Sequence, residues 1–195
     1  MVRAAVLVSG GGSNLEALLA AKAAGGLPRV DFALVVASKP GVPALERAQK
    51  YGVPCRVIER KAYPDEESCQ KALEQALVEA GVDLVCLAGY LRKVGANIVR
   101  RFRGRILNIH PALLPKYGGA GMYGHFVHEA VIAAGEKESG CTIHLVDEEF
   151  DHGPVLAQAR VPVRPGDTAE QLAARVLMEE HRLYPEALRK FSETL

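Results

Sequence analysis

A chain of 195 residues, 49% hydrophobic and 24% charged, has apolar material for one sizeable core and needs no covalent staples to hold it. Its formal charge of +1 gives no reason to expect nucleic acid or an anionic membrane as a partner. Cys55, Cys69, Cys86 and Cys141 form no C-x-x-C pair, and no apolar run reaches the length of a membrane span or a secretory leader, so the sequence predicts a cytoplasmic protein without a metal site or disulfide framework.

The predicted elements begin at once. Ala4 to Val8 reads as a buried strand, stopped by Ser9 and three glycines, and Ser13 to Ala24 as a helix with Leu15, Leu18 and Leu19 on one face. Phe32 to Ala37, Cys55 to Ile58 and Val82 to Ala88 read as further strands. Between them, Val42 to Tyr51 and Asp65 to Ala80 read as helices, the second closed by Gly81. Strands this uniformly apolar are buried on both faces, which predicts a parallel sheet between helices.

Beyond residue 100 the pattern changes. Arg105 to His110 reads as a fifth strand, followed by a loop to Gly124 and a helix over Phe126 to Ala134. Thr142 to Val146 and Val155 to Val163 read as strands whose short connection predicts an antiparallel pair. A long helix starts near Thr168, where Thr168 and Gln171 have capping-box spacing; Pro185 is expected to kink or interrupt it. The predicted class is α/β: a Rossmann-like, mainly parallel sheet with helices on both faces, mixed in its C-terminal half, ending in a long helix. Residues 1–195 read as one domain, in which 1–100 form a nucleotide- or phosphate-binding half and 101–195 a catalytic half.

Three segments carry candidate chemistry. Ser9-Gly10-Gly11-Gly12-Ser13-Asn14 joins strand one to helix one, where exposed backbone N–H groups suit an anion. It lacks the lysine of a phosphate-binding Walker loop and the third glycine of the dinucleotide fingerprint, which favours a single phosphate over a pyrophosphate. A tight turn with no ligand is the competing reading. Asn108-Ile109-His110-Pro111 ends a buried strand, and period-two alternation puts Asn108 and His110 on one side of it. An amide donor beside an imidazole suits acyl transfer, in which an oxyanion forms and protons move; a hydrogen-bonded Asn and His closing a strand is the structural alternative. The turn Asp147 to Pro154, with Asp151 in it, is acidic enough to be simply solvated, yet it hangs between two apolar strands. Glu180 falls on the Leu172 and Val176 stripe of the last helix, and the arginines at 100, 101, 103 and 105 read as a solvated face.

Together these segments resemble the folate-dependent formyltransferase family, and within it the branch that formylates glycinamide ribonucleotide. The resemblance covers almost the whole chain. It rests on Val8 to Leu15, Leu87-Ala88-Gly89-Tyr90-Leu91-Arg92, Asn108-Ile109-His110-Pro111-Ala112-Leu113-Leu114-Pro115, Gly140 to His144, and Asp151-His152-Gly153-Pro154. It implies formyl transfer from 10-formyltetrahydrofolate, as co-substrate, to the amine of glycinamide ribonucleotide in purine synthesis. It implies Asn108, His110 and Asp151 as catalytic residues, and Gly12, Ser13, Asn14 and Glu180 at the substrate phosphate and nucleotide. It also implies Arg60, Leu91, Arg92, Lys93, Val94, Asn108, Asp147 and Asp151 around the folate, with His144 in support. Asp151 is expected to raise the pKa of His110. The stretch Tyr117 to His128 departs from many members, so Met122, Tyr123 and His125 receive no role from the resemblance. The expected partners are these small molecules, with the chain acting as a monomer or homodimer. The alternatives are a hydrolase of the same folate, expected to carry a regulatory domain ahead of strand one, and formyl transfer to another amine.

Overall fold

The computed structural model describes residues 1–195. One seven-stranded sheet runs through it in the order β3-β2-β1-β4-β5-β6-β7. The strands are β1 (Val2–Val8), β2 (Val30–Ala37), β3 (Cys55–Val57), β4 (Leu84–Leu87), β5 (Ile106–His110), β6 (Glu138–Leu145) and β7 (Val155–Pro162). Pairs among β1 to β5 are parallel, while β5–β6 and β6–β7 are antiparallel, the latter as the short connection predicted.

Helices cover both faces. Alternate strand residues such as Val6, Cys86, Leu107 and Ile143 pack with α1 (Ser13–Ala23), α2 (Pro43–Lys50), α5 (His125–Ala133) and α6 (Ala169–Ser192). The intervening residues Leu7, Val85 and Ile106 pack with α3 (Glu66–Glu79) and α4 (Ala96–Arg101). This is the uniform two-sided burial that the apolar runs foretold.

Three sequence expectations need correction. Helix α4 was not foreseen, because six residues make too few turns for helical spacing to stand out beside the arginines around it. Strand β6 begins at Glu138, four residues ahead of the apolar signal at Thr142, because β7 supplies a partner for Glu138, Ser139 and Gly140. Pro185 does not interrupt α6, which runs unbroken over Ala169–Ser192. Fully buried Tyr184, Leu188 and the nearby Ala187 hold both flanking turns against the sheet, and this packing outweighs the one hydrogen bond that proline cannot make.

Strand β1 passes to β2 on one side, and β4 lies against β1 on the other. Open α/β sheets bind ligands at such a reversal, beyond the carboxyl ends of the strands. The loops after β1, β4 and β5 all leave the sheet at that edge. A serine ties two of them together: Ser9 Oγ accepts from the Leu91 N–H at 2.9 Å and from the Ser38 hydroxyl at 2.7 Å.

Candidate active site

A cavity of about 620 Å³ opens there, within the size range of small-molecule sites. Its walls come from the loop after β4, from β5, from residues 119–125, from the β6–β7 loop and from α6.

The glycine loop closes one end. Gly12 has φ +75°, and a Cβ there would meet Ala44 Cβ at 2.6 Å, so glycine is required by close packing on α2 as well as by backbone conformation. Gly10 and Gly11 have open space above them. Close approach of a ligand is therefore freest at Gly10 and Gly11, and a substitution at Gly12 would perturb packing before it perturbed an anion. Arg47 holds the loop, donating from Nε to the Gly11 carbonyl at 2.9 Å. Of the loop, Asn14 is on the cavity wall, while Gly10, Gly11, Gly12 and Ser13 lie outside it. Asn14 Nδ2 donates to Glu180 Oε2 at 2.7 Å, and Asn14 Oδ1 is buried without a partner. Glu180 does point inward, as its stripe predicted, and burial raises its pKa despite the hydrogen bond from Asn14.

The segment after β4 forms a second wall. Leu91, Arg92, Lys93 and Val94 all line the cavity, as does Asp147 across from them. Lys93 Nζ lies 5.3 Å from the Phe150 ring centroid, closing the wall to the β6–β7 loop by a cation–π contact. Arg60 does not reach the cavity. It bonds the Tyr63 carbonyl at 2.8 Å and pairs with Glu66 at 3.2 Å, and Glu66 also holds Arg92 at 2.7 Å. Arg60 thus touches the site only through Glu66 and Arg92.

At the end of β5 the cluster is tight. Asn108 and His110 share one side of the strand, and His144 stands opposite Asn108 on β6. His144 Nδ1 lies 2.9 Å from its acceptor, the Leu145 carbonyl, so that nitrogen carries the hydrogen. Its Nε2 is then free to accept from Asn108 Nδ2 at 3.0 Å, which fixes the direction of the Asn108 amide. Asp151, at φ +52°, turns its carboxylate back into the cluster. Its Oδ2 accepts from the Gly119 N–H at 3.0 Å and lies 3.4 Å from His110 Nδ1, an ion-pair separation. Oδ1 lies 3.5 Å from both Asn108 Nδ2 and His144 Nε2. Gly153 allows the return of the chain, since a Cβ there would collide with the Leu145 carbonyl.

The other nitrogen of His110, Nε2, lies 2.7 Å from the Tyr117 carbonyl, which can only accept. Both ring nitrogens therefore face acceptors, an arrangement that favours the imidazolium. Burial opposes this and prevails: the His110 pKa lies below the ordinary histidine value, although Asp151 and the Tyr117 carbonyl each raise it. Asp151 thus raises the His110 pKa as expected, but desolvation of a ring only 4% exposed outweighs the carboxylate. For Asp151, burial raises the pKa, but the His144 and His110 rings and the Gly119 N–H together bring it below the ordinary carboxylate value.

Other cavity residues had no role in the sequence reading. Met122, Tyr123, His125 and His128 form one wall, and Ala173 and Leu177 of α6 another. The α6 residues had a readable signal, since 173, 177 and 180 share a helix face. The loop residues had none, because no periodicity governs an irregular segment. No group of three or more His, Cys, Asp or Glu side chains is arranged to hold a metal ion. No helix is long and apolar enough to cross a membrane.

Known proteins share this fold. The chain is 46% identical over 188 residues to the trifunctional purine biosynthetic protein adenosine-3 of Drosophila melanogaster, covering 95% of this chain and 14% of that protein. It is 45% identical over 185 residues to the chloroplastic phosphoribosylglycinamide formyltransferase of Arabidopsis thaliana, covering 94% of this chain and 63% of that one. The chain therefore spans less than two thirds of the length of these curated relatives. Among solved structures, glycinamide ribonucleotide transformylase 1 from Symbiobacterium toebii superposes with a TM-score of 0.94 at 43% identity, covering 100% of this chain and 89% of that one. Phosphoribosylglycinamide formyltransferase from Brucella melitensis gives 0.90 at 46%, covering 98% and 95%. A family model described as formyl transferase matches residues 2–188, nearly the full sheet and its helices, and the chain belongs to that family.

Proposed function

We propose that this chain transfers the formyl group of 10-formyltetrahydrofolate to the amine of glycinamide ribonucleotide, giving formylglycinamide ribonucleotide and tetrahydrofolate. The observation that carries this reading is the convergence of Asn108, His110 and Asp151 on one cavity wall, between the glycine loop and the Leu91–Val94 segment. The names of the relatives support it. In this reading residues 1–100 supply the phosphate loop and residues 101–195 the formyl-transfer chemistry. Gly10 to Asn14 hold the nucleotide phosphate through backbone N–H groups, and Glu180 meets the same substrate. Leu91, Arg92, Lys93, Val94 and Asp147 flank the folate, with Arg60 acting through Glu66.

The chemistry follows from the surroundings of each group. Attack of the neutral amine on the formyl carbon puts negative charge on the formyl oxygen. The Asn108 amide, held in place by His144, donates a hydrogen bond to that oxygen, and protonated His110 joins it when its Nε2–H leaves the Tyr117 carbonyl for the oxyanion. Asp151 favours the charged form of His110 against the cost of burial, and the pair helps pass the proton released by the attacking amine to the departing folate nitrogen, so that His110 ends in its starting state. The reaction needs no covalent enzyme intermediate and is assigned no metal. It is placed in the cytoplasm, in a monomer or homodimer. The deciding assay mixes the chain with 10-formyltetrahydrofolate and then adds glycinamide ribonucleotide. Folate turnover that depends on the amine is expected. Equal turnover without the amine would make the chain a hydrolase and sink the proposal.

A further inference from the structure

The cavity wall that follows β4 is irregular backbone. Tyr90, Leu91, Arg92, Lys93 and Val94 all line the cavity, yet no backbone–backbone hydrogen bond reaches any of them. A segment without a ladder of its own must be held from outside or it opens easily. Two buried side chains hold this one, and neither lines the cavity itself. Ser9, just past β1, takes one end: its Oγ accepts from the Leu91 N–H at 2.9 Å. Gln70 of α3 takes the other. Its Nε2 donates to the Lys93 carbonyl at 3.0 Å, and its Oε1 accepts from the Gly95 N–H at 2.9 Å.

Gln70 is out of place by helix patterning alone. It falls on the buried face of α3 with Cys69, Leu73, Ala76 and Leu77, where an apolar side chain is the ordinary occupant. Gly95 makes room for its amide, since a Cβ there would lie 2.9 Å from Gln70 Oε1 and 3.0 Å from its Cδ. The Gly95 carbonyl in turn accepts from the Ile98 and Val99 N–H groups, both at 3.0 Å, so the clamp is anchored on the first turn of α4. The second Gln70 amide hydrogen goes to Glu66 Oε1 at 2.8 Å, and Glu66 holds the Arg92 guanidinium at 2.7 Å. Gln70 thus engages both hydrogens and its oxygen. It sets a carbonyl and an N–H of the segment and, through Glu66, the Arg92 side chain.

We infer that Gln70 and Ser9 are positioning residues for the folate co-substrate: they fix the main chain from Leu91 to Gly95, and with it the wall against which the folate packs. The assignment rests on the formyl-transfer reading, which puts the folate on this wall. Neither side chain meets a substrate, so each acts only through where the wall stands. A displacement of about 1 Å caused by a change away from the reacting atoms can cost roughly 10²-fold. The phosphate loop is held separately, by Arg47 on the Gly11 carbonyl at 2.9 Å, and α3 packs on the face of the sheet opposite α1. Loss of the Gln70 amide should therefore be felt by the folate and not by the nucleotide.

Gln70→Met keeps a side chain of similar size and removes all three hydrogen bonds. Affinity for tetrahydrofolate, read by calorimetry, should fall by roughly 10–10²-fold, while affinity for glycinamide ribonucleotide stays within about threefold. In steady state the KM for the formyl donor should rise by a similar factor, and the turnover–pH profile should keep its shape, because no titrating group is touched. Ser9→Ala, which strands the Leu91 N–H, should weaken tetrahydrofolate binding by roughly tenfold. Tetrahydrofolate affinity within about threefold of the parent in either variant, or an equal loss of both substrates, would overturn the assignment for that residue. If a variant fails to fold, amide hydrogen exchange in the unaltered, ligand-free protein decides. Leu91 and Gly95 amides protected from exchange support the clamp, and unprotected ones exclude it. Failure of the parent reading looks different: the unaltered chain would then bind no tetrahydrofolate or would consume the formyl donor without formylating the amine, whereas the exchange pattern is read with no ligand present.

Discussion

At the scale of single residues, the site depends on how each polar group is held. In the proposed reaction Asn108 presents its amide to a developing oxyanion, and His144 Nε2 at 3.0 Å fixes the direction of that amide. Asn108→Ala should therefore lower turnover by roughly 10²–10³-fold, the usual loss for one preorganised donor, with the Michaelis constants changing little. Steady-state kinetics on both substrates checks this; a change confined to the Michaelis constants would place Asn108 in ground-state binding. Asp151 acts on His110 against burial. Asparagine tolerates the left-handed conformation at position 151, where φ is +52°, and its amide oxygen can still accept from Gly119, so Asp151→Asn should fold. Loss of the carboxylate removes a raising influence from a histidine already below its ordinary value. Less imidazolium then exists near pH 7, activity falls, and the basic limb of the turnover–pH profile moves toward acid. Combining it with His110→Ala should cost little more than the worse single change. Multiplied losses and an unmoved limb would reduce Asp151 to shaping the turn.

At the scale of elements, α6 links the two ends of the cavity. Its start is fixed by the capping box that the sequence spacing predicted: Gln171 N–H donates to Thr168 Oγ1 at 3.3 Å, and Thr168 N–H to Gln171 Oε1 at 2.9 Å. Two turns on, Ala173 and Leu177 line the cavity, and Glu180 meets Asn14 of α1. Farther along, the Tyr184 hydroxyl lies 3.1 Å from the Leu87 carbonyl and 3.2 Å from that of Leu107, one residue before Asn108. Its one O–H thus faces a carbonyl of each strand and ties β4 to β5. Thr168→Ala removes the cap and should cost about 1 kcal/mol, lowering Tm by about 2–4 °C for a chain of this size. Thr168→Ser should recover most of it. An unchanged Tm in calorimetry would mean that packing alone holds the first turn.

At the scale of the whole molecule, buried histidines set the acid limit of stability. His110, His128 and His181 are all held below the ordinary value, chiefly by burial. Between pH 7 and 5 the unfolded chain therefore binds protons that the folded chain does not, and stability falls on acidification. Exposed His152 runs the other way, since hydrogen bonding to Asp147 raises its pKa, but an exposed pair contributes little. A second loss follows at lower pH. Paired with Arg175, Asp167 titrates at about 2 in the folded chain, so its contribution is complete above its unfolded value near 4 and disappears as pH falls through 2. Thermal melts from pH 8 to 4 should show Tm declining below pH 7, and His128→Gln should flatten that decline. A Tm that holds or rises between pH 7 and 5.5 would contradict this account.

What the sequence determined by itself is the part of the molecule governed by local rules. Period and composition placed every strand and five of the six helices, because two-sided burial, helical spacing and capping are written in neighbouring residues. The motifs at Ser9 to Asn14 and Asn108 to His110 were legible for the same reason, whereas Asp151 stood out from its acidic turn only through the family resemblance. The tertiary structure decided whatever depends on residues distant in the chain. It brought Asn14 to Glu180, denied Arg60 the cavity, and put His128 on its wall. It also set against the raising influence of Asp151 a larger effect of burial at His110, because desolvation depends on what packs around a ring, and no short stretch of sequence records that.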